Sequence, residues 1–144
     1  MVRSGANYGW RLREASQCYA SGCGTTGASG EPLIDPLVEY GRDVGQAITG
    51  GYVYRGTKVP SLAGRYIFGD YASSRVFSFA RPTPLAAATP RVVLSPSNAL
   101  LTAPSAITSF AQDNDGELYV VGYGGQLYGF QAASGSTDTI PTLL

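Results

Sequence analysis

Gly64-Arg65-Tyr66-Ile67-Phe68-Gly69-Asp70-Tyr71 and Gly116-Glu117-Leu118-Tyr119-Val120-Val121-Gly122-Tyr123 are two versions of one pattern. Each opens on glycine, runs through β-branched and aromatic residues, meets a second glycine and closes on tyrosine. A short strand-like run follows each one: Arg75-Val76-Phe77-Ser78-Phe79-Ala80 after the first, Gln126-Leu127-Tyr128-Gly129-Phe130 after the second. Alternation at period two predicts strands, and bounding glycines predict the turns between them. Working outward, Ile48-Thr49-Gly50-Gly51-Tyr52-Val53-Tyr54-Arg55 precedes the first copy as a strand closed by Gly56. Ala106-Ile107-Thr108-Ser109-Phe110-Ala111 precedes the second, joined to it by Asp113-Asn114-Asp115-Gly116, a hairpin-turn sequence. Arg91-Val92-Val93-Leu94-Ser95, after a Pro/Ala-rich loop, reads as a further strand of the first set.

The offset between the copies matches a blade of a β-propeller, whose repeats run ~40–50 residues. The expected fold is therefore all-β, with about two four-stranded antiparallel blades and an irregular N-terminal segment that bears a disulfide. We divide the chain into an irregular segment at 1–47, a blade with a long loop at 48–105, a partial or final blade at 106–131 and a flexible tail at 132–144. Two such units cannot close a ring of at least ~4 blades, and each would leave an apolar face uncovered. The sequence thus predicts a piece of a longer protein, or a subunit whose partners complete the ring.

Composition supports this and narrows the chemistry. The chain has 144 residues, 19 of them glycine and 9 proline, spread along its length as turn residues would be. Ten acidic and ten basic residues give no net charge, and no Lys/Arg cluster offers a face to phosphates, which argues against nucleic acid. No apolar run approaches the ~18 residues of a membrane span. Histidine is absent, which removes the commonest general base, the Ser-His and Cys-His pairs and the usual zinc ligand. Remaining chemistry falls to carboxylates, Tyr, Arg, the single lysine Lys58, or a supplied cofactor.

Cys18 and Cys23 lie five apart in a loop-like stretch without companion ligands. They read as a small structural disulfide rather than a redox or metal pair, and a disulfide implies an oxidising compartment. Met1 to Gly5 opens no signal peptide, so the targeting segment is expected elsewhere. Trp10, in Asn7-Tyr8-Gly9-Trp10, is expected to be a buried anchor for its loop rather than a sugar-stacking ring. Asp113 and Asp115 lack the downstream glutamate of a calcium loop and read as turn residues. Gly50-Gly51 and Gly124-Gly125 read as bulge or turn glycines, since no helix follows either pair to cradle a phosphate. Tyr52, Tyr54, Tyr66, Phe68, Tyr119 and Tyr128 fall at strand spacing and are expected to pack between blades. Thr49, Arg55 and Arg65 are candidates for the axial face.

The series Asn7-Tyr8-Gly9-Trp10, Cys18 to Cys23, Glu39-Tyr40, 48–56, 64–71, Ile107-Thr108-Ser109-Phe110 and Asp115-Gly116-Glu117-Leu118-Tyr119-Val120-Val121 resembles, in order, one known family. It is similar to the C-terminal blades of glucose/sorbosone dehydrogenase-like proteins, six-bladed propellers that include quinone-dependent sugar dehydrogenases and hedgehog-interacting-protein-like proteins. The resemblance implies that active members bind pyrroloquinoline quinone and calcium at the mouth of the propeller and oxidise an aldose C–OH. Their catalytic histidine and Arg-Asn-Pro segment belong to earlier blades. The family's two arginines before the last Asp-Gly turn fall here on Ala106 and Thr108, and its cofactor lysine falls near Ala72 or Ser73. None of these can pair with a carboxylate. A second cysteine pair found in many relatives falls on Gln46 and Ala72, and both cysteines are missing together.

No catalytic, cofactor-binding or metal-ligating residue is therefore assigned to this chain. The expected function is a non-catalytic binding or assembly module. Its partners would be the remaining blades or other subunits, with a sugar or protein ligand, outside the cell or in the periplasm. The alternatives are the C-terminal part of a quinone- and calcium-dependent aldose/sorbosone dehydrogenase, and an extracellular structural subunit.

Overall fold

The computed structural model describes residues 2–80, 91–132 and 142–143. Its elements are β1 (Arg13–Glu14), β2 (Gln17–Cys18), β3 (Val38–Tyr40), β4 (Ile48–Val53), β5 (Arg65–Asp70) and β6 (Arg75–Ala80). They continue with β7 (Val92–Leu94), β8 (Leu101–Thr102), β9 (Ile107–Gln112), β10 (Leu118–Gly122), β11 (Leu127–Gln131) and β12 (Thr142–Leu143). Two single-turn 3-10 segments, Pro60–Leu62 and Pro96–Asn98, are the only helical elements among the described residues. The fold is all-β. Within the described residues the chain forms two compact units, one from 2–39 with 91–93 and the other from 40–80 with 94–132 and 142–143.

The first unit is held by polar contacts. The β1–β2 hairpin pairs Arg13 with Cys18, and Cys18 is bonded to Cys23. Arg13 reaches Asp35 at 2.9 Å, and Asn7 donates to Glu31 at 2.6 Å. Glu39 accepts from the Ser16 backbone and hydroxyl, each at 2.9 Å, and from Arg91 Nε at 2.8 Å. Trp10 corrects one expectation. It is 69% exposed, its ring lying 4.9 Å from that of Tyr19, also on the surface. The buried apolar residues of the described chain all belong to the second unit, so this loop has no core in which to sink an indole.

The second unit contains two four-stranded antiparallel sheets, ordered β4-β5-β6-β8 and β12-β11-β10-β9. In the first, Tyr66, Ile67 and Phe68 stand opposite Phe79, Ser78 and Phe77. The β4–β5 register shifts between Thr49 and Tyr52, so Gly50-Gly51 is a bulge, as expected. A Cβ on Gly51 would collide with the Ile67 carbonyl oxygen, which explains why the bulge needs glycine there. In the second sheet β10 pairs with β9 from Leu118↔Gln112 to Gly122↔Ile107 and with β11 through Tyr119↔Gly129 to Val121↔Leu127.

One core lies between the sheets. Tyr54, Ile67 and Val76 of the first meet Ile107, Phe110, Leu118, Val120 and Phe130 of the second. Alternation decides this: Leu118 and Val120 point into the core while Tyr119 and Val121, one step out of phase, do not. On the other face of the first sheet, Tyr40, Phe77, Phe68 and Tyr66 form a chain of stacked rings at centroid spacings of 5.5, 5.5 and 5.8 Å.

Two expectations change in detail. Arg91–Ser95 was assigned to the first set of strands, yet β7 pairs with β3 in a separate two-stranded sheet. The fourth strand of the first sheet is β8, whose Leu101 stands opposite Val76 and packs on the core. Val92 and Val93 are 40% and 62% exposed, whereas the Pro96–Asn98 turn returns the chain to deliver Leu101. The tail at 132–144 lies outside the described residues except for its first residue and Thr142–Leu143, and these last two extend the second sheet as β12 beside Phe130 and Gln131. The Pro/Ala-rich loop at 81–90 also lies outside the described residues.

Candidate functional site

The turns after β5 and after β10 lie at one end of the paired sheets. Tyr71 N–H donates to Ala47 O at 2.8 Å and Tyr123 N–H to Ala106 O at 2.9 Å, so each tyrosine is tied to the residue that precedes its neighbouring strand. The two rings meet edge to face at 6.2 Å, with Tyr71 41% and Tyr123 72% exposed. Thr49 sits at this end too, its hydroxyl donating to Ile107 O at 2.9 Å and so stitching β4 to β9.

The positions that the sequence singled out for cofactor cations lie here and carry none. Ala106 is half-buried, and Thr108 is exposed with its hydroxyl donated to Val121 O at 3.0 Å. Ser73 N–H donates to Asp70 at 2.7 Å, and Ser73 Oγ accepts from Arg75 N–H at 3.4 Å. Arg75, two residues beyond Ser73, turns its guanidinium onto the Val44 carbonyl oxygen, and Arg42 donates to Gln46 O at 3.1 Å. Arg65, at the opposite end of β5, bonds Ser78 Oγ at 2.9 Å and Ser78 O at 3.3 Å. Arg55 is exposed beside the Gly116 turn, also at the opposite end, with a bond to Val53 O at 3.3 Å. These donors do not suit a ligand with several carboxylates, which needs free cations or bidentate guanidinium groups. Among the described residues no group of three or more Cys, Asp or Glu side chains is arranged to hold a metal ion.

Two buried carboxylates, not singled out from the sequence, organise the ends of the sheets. Asp70, fully buried, closes β5 and accepts from Ala47 N–H at 2.7 Å, Ser73 N–H at 2.7 Å and Tyr40 O–H at 3.0 Å. Burial pushes its carboxyl up, but hydrogen bonds from Ser73, Ala47 and Tyr40 outweigh this and hold it below the usual aspartate value. Burial, with the bond to Asp70, raises the Tyr40 phenol.

Glu117, 4% exposed, precedes β10 and reaches into the first sheet's β4–β5 connection. It accepts from Tyr54 O–H at 2.6 Å, Thr57 N–H at 2.7 Å and Lys58 N–H at 2.9 Å. Burial again acts upward on the carboxyl, and the Tyr54, Lys58 and Thr57 donors overcome it. Tyr54, also accepting from Val59 N–H at 2.9 Å, is pushed up to about 12 by burial and by the bond to Glu117.

A glycine lies against each carboxylate: a Cβ on Gly45 would land on Asp70, and one on Gly56 on Glu117. The sequence held a signal for both acids, a carboxylate directly after glycine at the end of an apolar strand. Asp113, by contrast, serves its own turn as expected, accepting from Asp115 and Glu117 N–H at 3.0 and 2.9 Å and from Tyr119 O–H at 2.9 Å.

Each carboxylate accepts from two backbone N–H groups and a tyrosine hydroxyl, which makes it a structural tie between elements. No helix among the described residues is long and apolar enough to cross a membrane. Comparison with known proteins gives a consistent lineage. A protein from Arabidopsis thaliana described as "HIPL1 protein" is 31% identical over 87 residues, covering 54% of this chain and 12% of the relative. The chain therefore spans a small part of the length of this curated relative. No solved structure matches it. The family model of the glucose/sorbosone dehydrogenases matches residues 1–128, nearly the whole chain, and the chain belongs to that family.

Proposed function

We propose that the two core-sharing sheets are successive blades of a six-bladed propeller and that the chain is a non-catalytic binding or assembly module. The observation that carries this reading is the lack of a cation at the positions the family resemblance marks. Ala106, Thr108, Ala72 and Ser73 stand where the family resemblance calls for cations, and Arg75 is spent on a backbone carbonyl. A pyrroloquinoline quinone with its carboxylates would find no charge-assisted partner among these residues. The partners in this reading are further blades, or other subunits, packed on the free faces of the sheets, with a sugar or protein ligand at the axial end. The Cys18–Cys23 disulfide supports an extracellular or periplasmic setting, where such a bond persists.

The relative's greater length supports a second reading, in which the chain is the C-terminal part of a quinone- and calcium-dependent aldose or sorbosone dehydrogenase. There the histidine and the cofactor's charged contacts come from other blades. The two readings separate in one experiment. The full-length purified protein is titrated with pyrroloquinoline quinone and calcium, followed by quinone absorbance, then assayed with aldoses and an electron-acceptor dye. The first reading expects neither saturable quinone binding nor turnover. Saturable binding with dye reduction would overturn it in favour of the second.

A further inference from the structure

The Tyr71–Tyr123 contact joins two exposed phenol rings held by different sheets. Of the five ring contacts among the described residues it alone pairs two tyrosines. Both backbones are fixed, through Ala47 O and Ala106 O, so the rings stay neighbours at the surface. Four of the buried or half-buried tyrosines have their hydroxyls engaged elsewhere: Tyr40 with Asp70, Tyr54 with Glu117, Tyr119 with Asp113 and Tyr66 with Gly51 N–H. Tyr71 and Tyr123 close the two copies of the repeated motif, so the repeat itself brings equivalent residues together.

We propose that Tyr71 and Tyr123 are an oxidative cross-linking site, coupled to an intramolecular dityrosine by a one-electron oxidant of the haem peroxidase and hydrogen peroxide class. Each phenol gives up one electron and one proton, leaving a phenoxyl radical whose unpaired spin extends to the ring carbons ortho to oxygen. The two radicals pair through a carbon–carbon bond between ortho positions. The hydrogen displaced from each ortho carbon then shifts to oxygen and restores both phenols. Two hydrogens are lost per cross-link, and one hydrogen peroxide is reduced to two waters. The bond staples the turn after β5 to the turn after β10, adding a covalent tie at the end of the sheets opposite the Glu117 clamp. The oxidising environment implied by the Cys18–Cys23 disulfide suits such a modification.

The test is to treat dilute purified protein with horseradish peroxidase and limiting hydrogen peroxide. The expected result is violet dityrosine fluorescence in the monomer fraction, an intact mass lower by two hydrogens, and one digestion product linking the peptides that contain Tyr71 and Tyr123. Tyr71→Phe and Tyr123→Phe should each abolish the monomer signal, and Tyr52→Phe should leave it unchanged. Circular dichroism and thermal melts of the untreated variants check that each is folded; phenylalanine keeps the ring, so both are expected to match the parent. Cross-links found only between molecules, a linked peptide from another tyrosine pair, or monomer fluorescence surviving in folded Tyr123→Phe protein would overturn the proposal. So would the absence of coupling in the folded parent when free tyrosine in the same reaction is coupled.

Discussion

Asp70 and Glu117 are two solutions to the same problem in two sheets that share one core. Each is a carboxylate out of water, held by two backbone N–H groups and one tyrosine hydroxyl, with a glycine pressed against it. Asp70 joins the end of β5 to the start of β4, to the turn before β6 and, through the Tyr40 hydroxyl, to β3. Glu117 works across the interface: its partners Tyr54, Thr57 and Lys58 lie 59 to 63 positions away and belong to the other sheet's connection. The two acids stand at different positions of the repeated motif, Asp70 opposite Gly122 and Glu117 opposite Arg65, so the same type of bond arises twice and joins different elements. One carboxylate closes the end of a sheet and ties it to β3, and the other fastens the two four-stranded sheets together.

The largest expected effect tests that distinction. Glu117→Ala leaves the buried Tyr54 hydroxyl and two N–H groups without their acceptor, each loss costing about 1–3 kcal/mol, so a destabilisation of about 3 kcal/mol or more is expected in urea unfolding. Asp70→Ala removes the same kind of bonds at the end of β5, outside the contact between the two four-stranded sheets, and a smaller loss of about 2 kcal/mol is expected. A larger loss for Asp70→Ala than for Glu117→Ala would break the comparison.

Next come the glycines. Gly56→Ala and Gly45→Ala each push a methyl into the carboxylate beside them, and about 1–3 kcal/mol is expected for such overpacking. The pairing predicts that Gly56→Ala loses most of its effect in the Glu117→Ala background, read as non-additivity in a double-mutant cycle of thermal melts.

Acid sharpens the comparison further. Both carboxyls are held below their ordinary values in the folded protein, so their contribution is fully present above the usual carboxylate range and is lost as pH falls through the lower folded values. Stability of the parent should therefore fall with acidification more steeply than that of Glu117→Gln or Asp70→Asn, measured as the denaturation midpoint against pH. At the alkaline end the sign reverses. The raised Tyr54 phenol contributes stability that is present below the ordinary tyrosine value and lost as pH rises through about 12. Tyr54→Phe should flatten that limb. The smallest expected effect is Thr49→Val, which removes one hydroxyl donor to Ile107 O at about 0.5–1.5 kcal/mol and leaves the core intact.

Much of this fold was legible because β-structure writes itself at short range. Gly64 to Tyr71 and Gly116 to Tyr123 show their period and bounding glycines directly, and Asp113-Asn114-Asp115-Gly116 is a local turn whose side chain bonds its own backbone. The strand at Arg91–Ser95 was legible as a strand but not as a partner of β3, because pairing over that distance depends on where the Pro96–Asn98 turn sends the chain. Trp10 was misread because burial is a property of what surrounds a residue, and its unit has no core to bury it. Alanine and threonine at 106 and 108 were visible at once; that Arg75 turns from that end to a backbone carbonyl was not.

The sequence by itself determined the all-β character, the repeated unit, the disulfide partners and the absence of histidine and of cations at the positions the family resemblance marks. These depend on residue type and on neighbours a few positions apart, where chain stiffness and turn chemistry leave few choices. Only the tertiary structure decided that Glu117 bridges the two four-stranded sheets, that Asp70 takes the Tyr40 hydroxyl of β3, and that Tyr71 meets Tyr123. Those contacts span 30 to 63 positions, and the two that join the four-stranded sheets accompany the shared core in which Leu118 and Val120 are buried with Ile67 and Val76. Hydrophobic burial is non-directional, so it can set which faces meet without the sequence displaying which polar groups will then find each other.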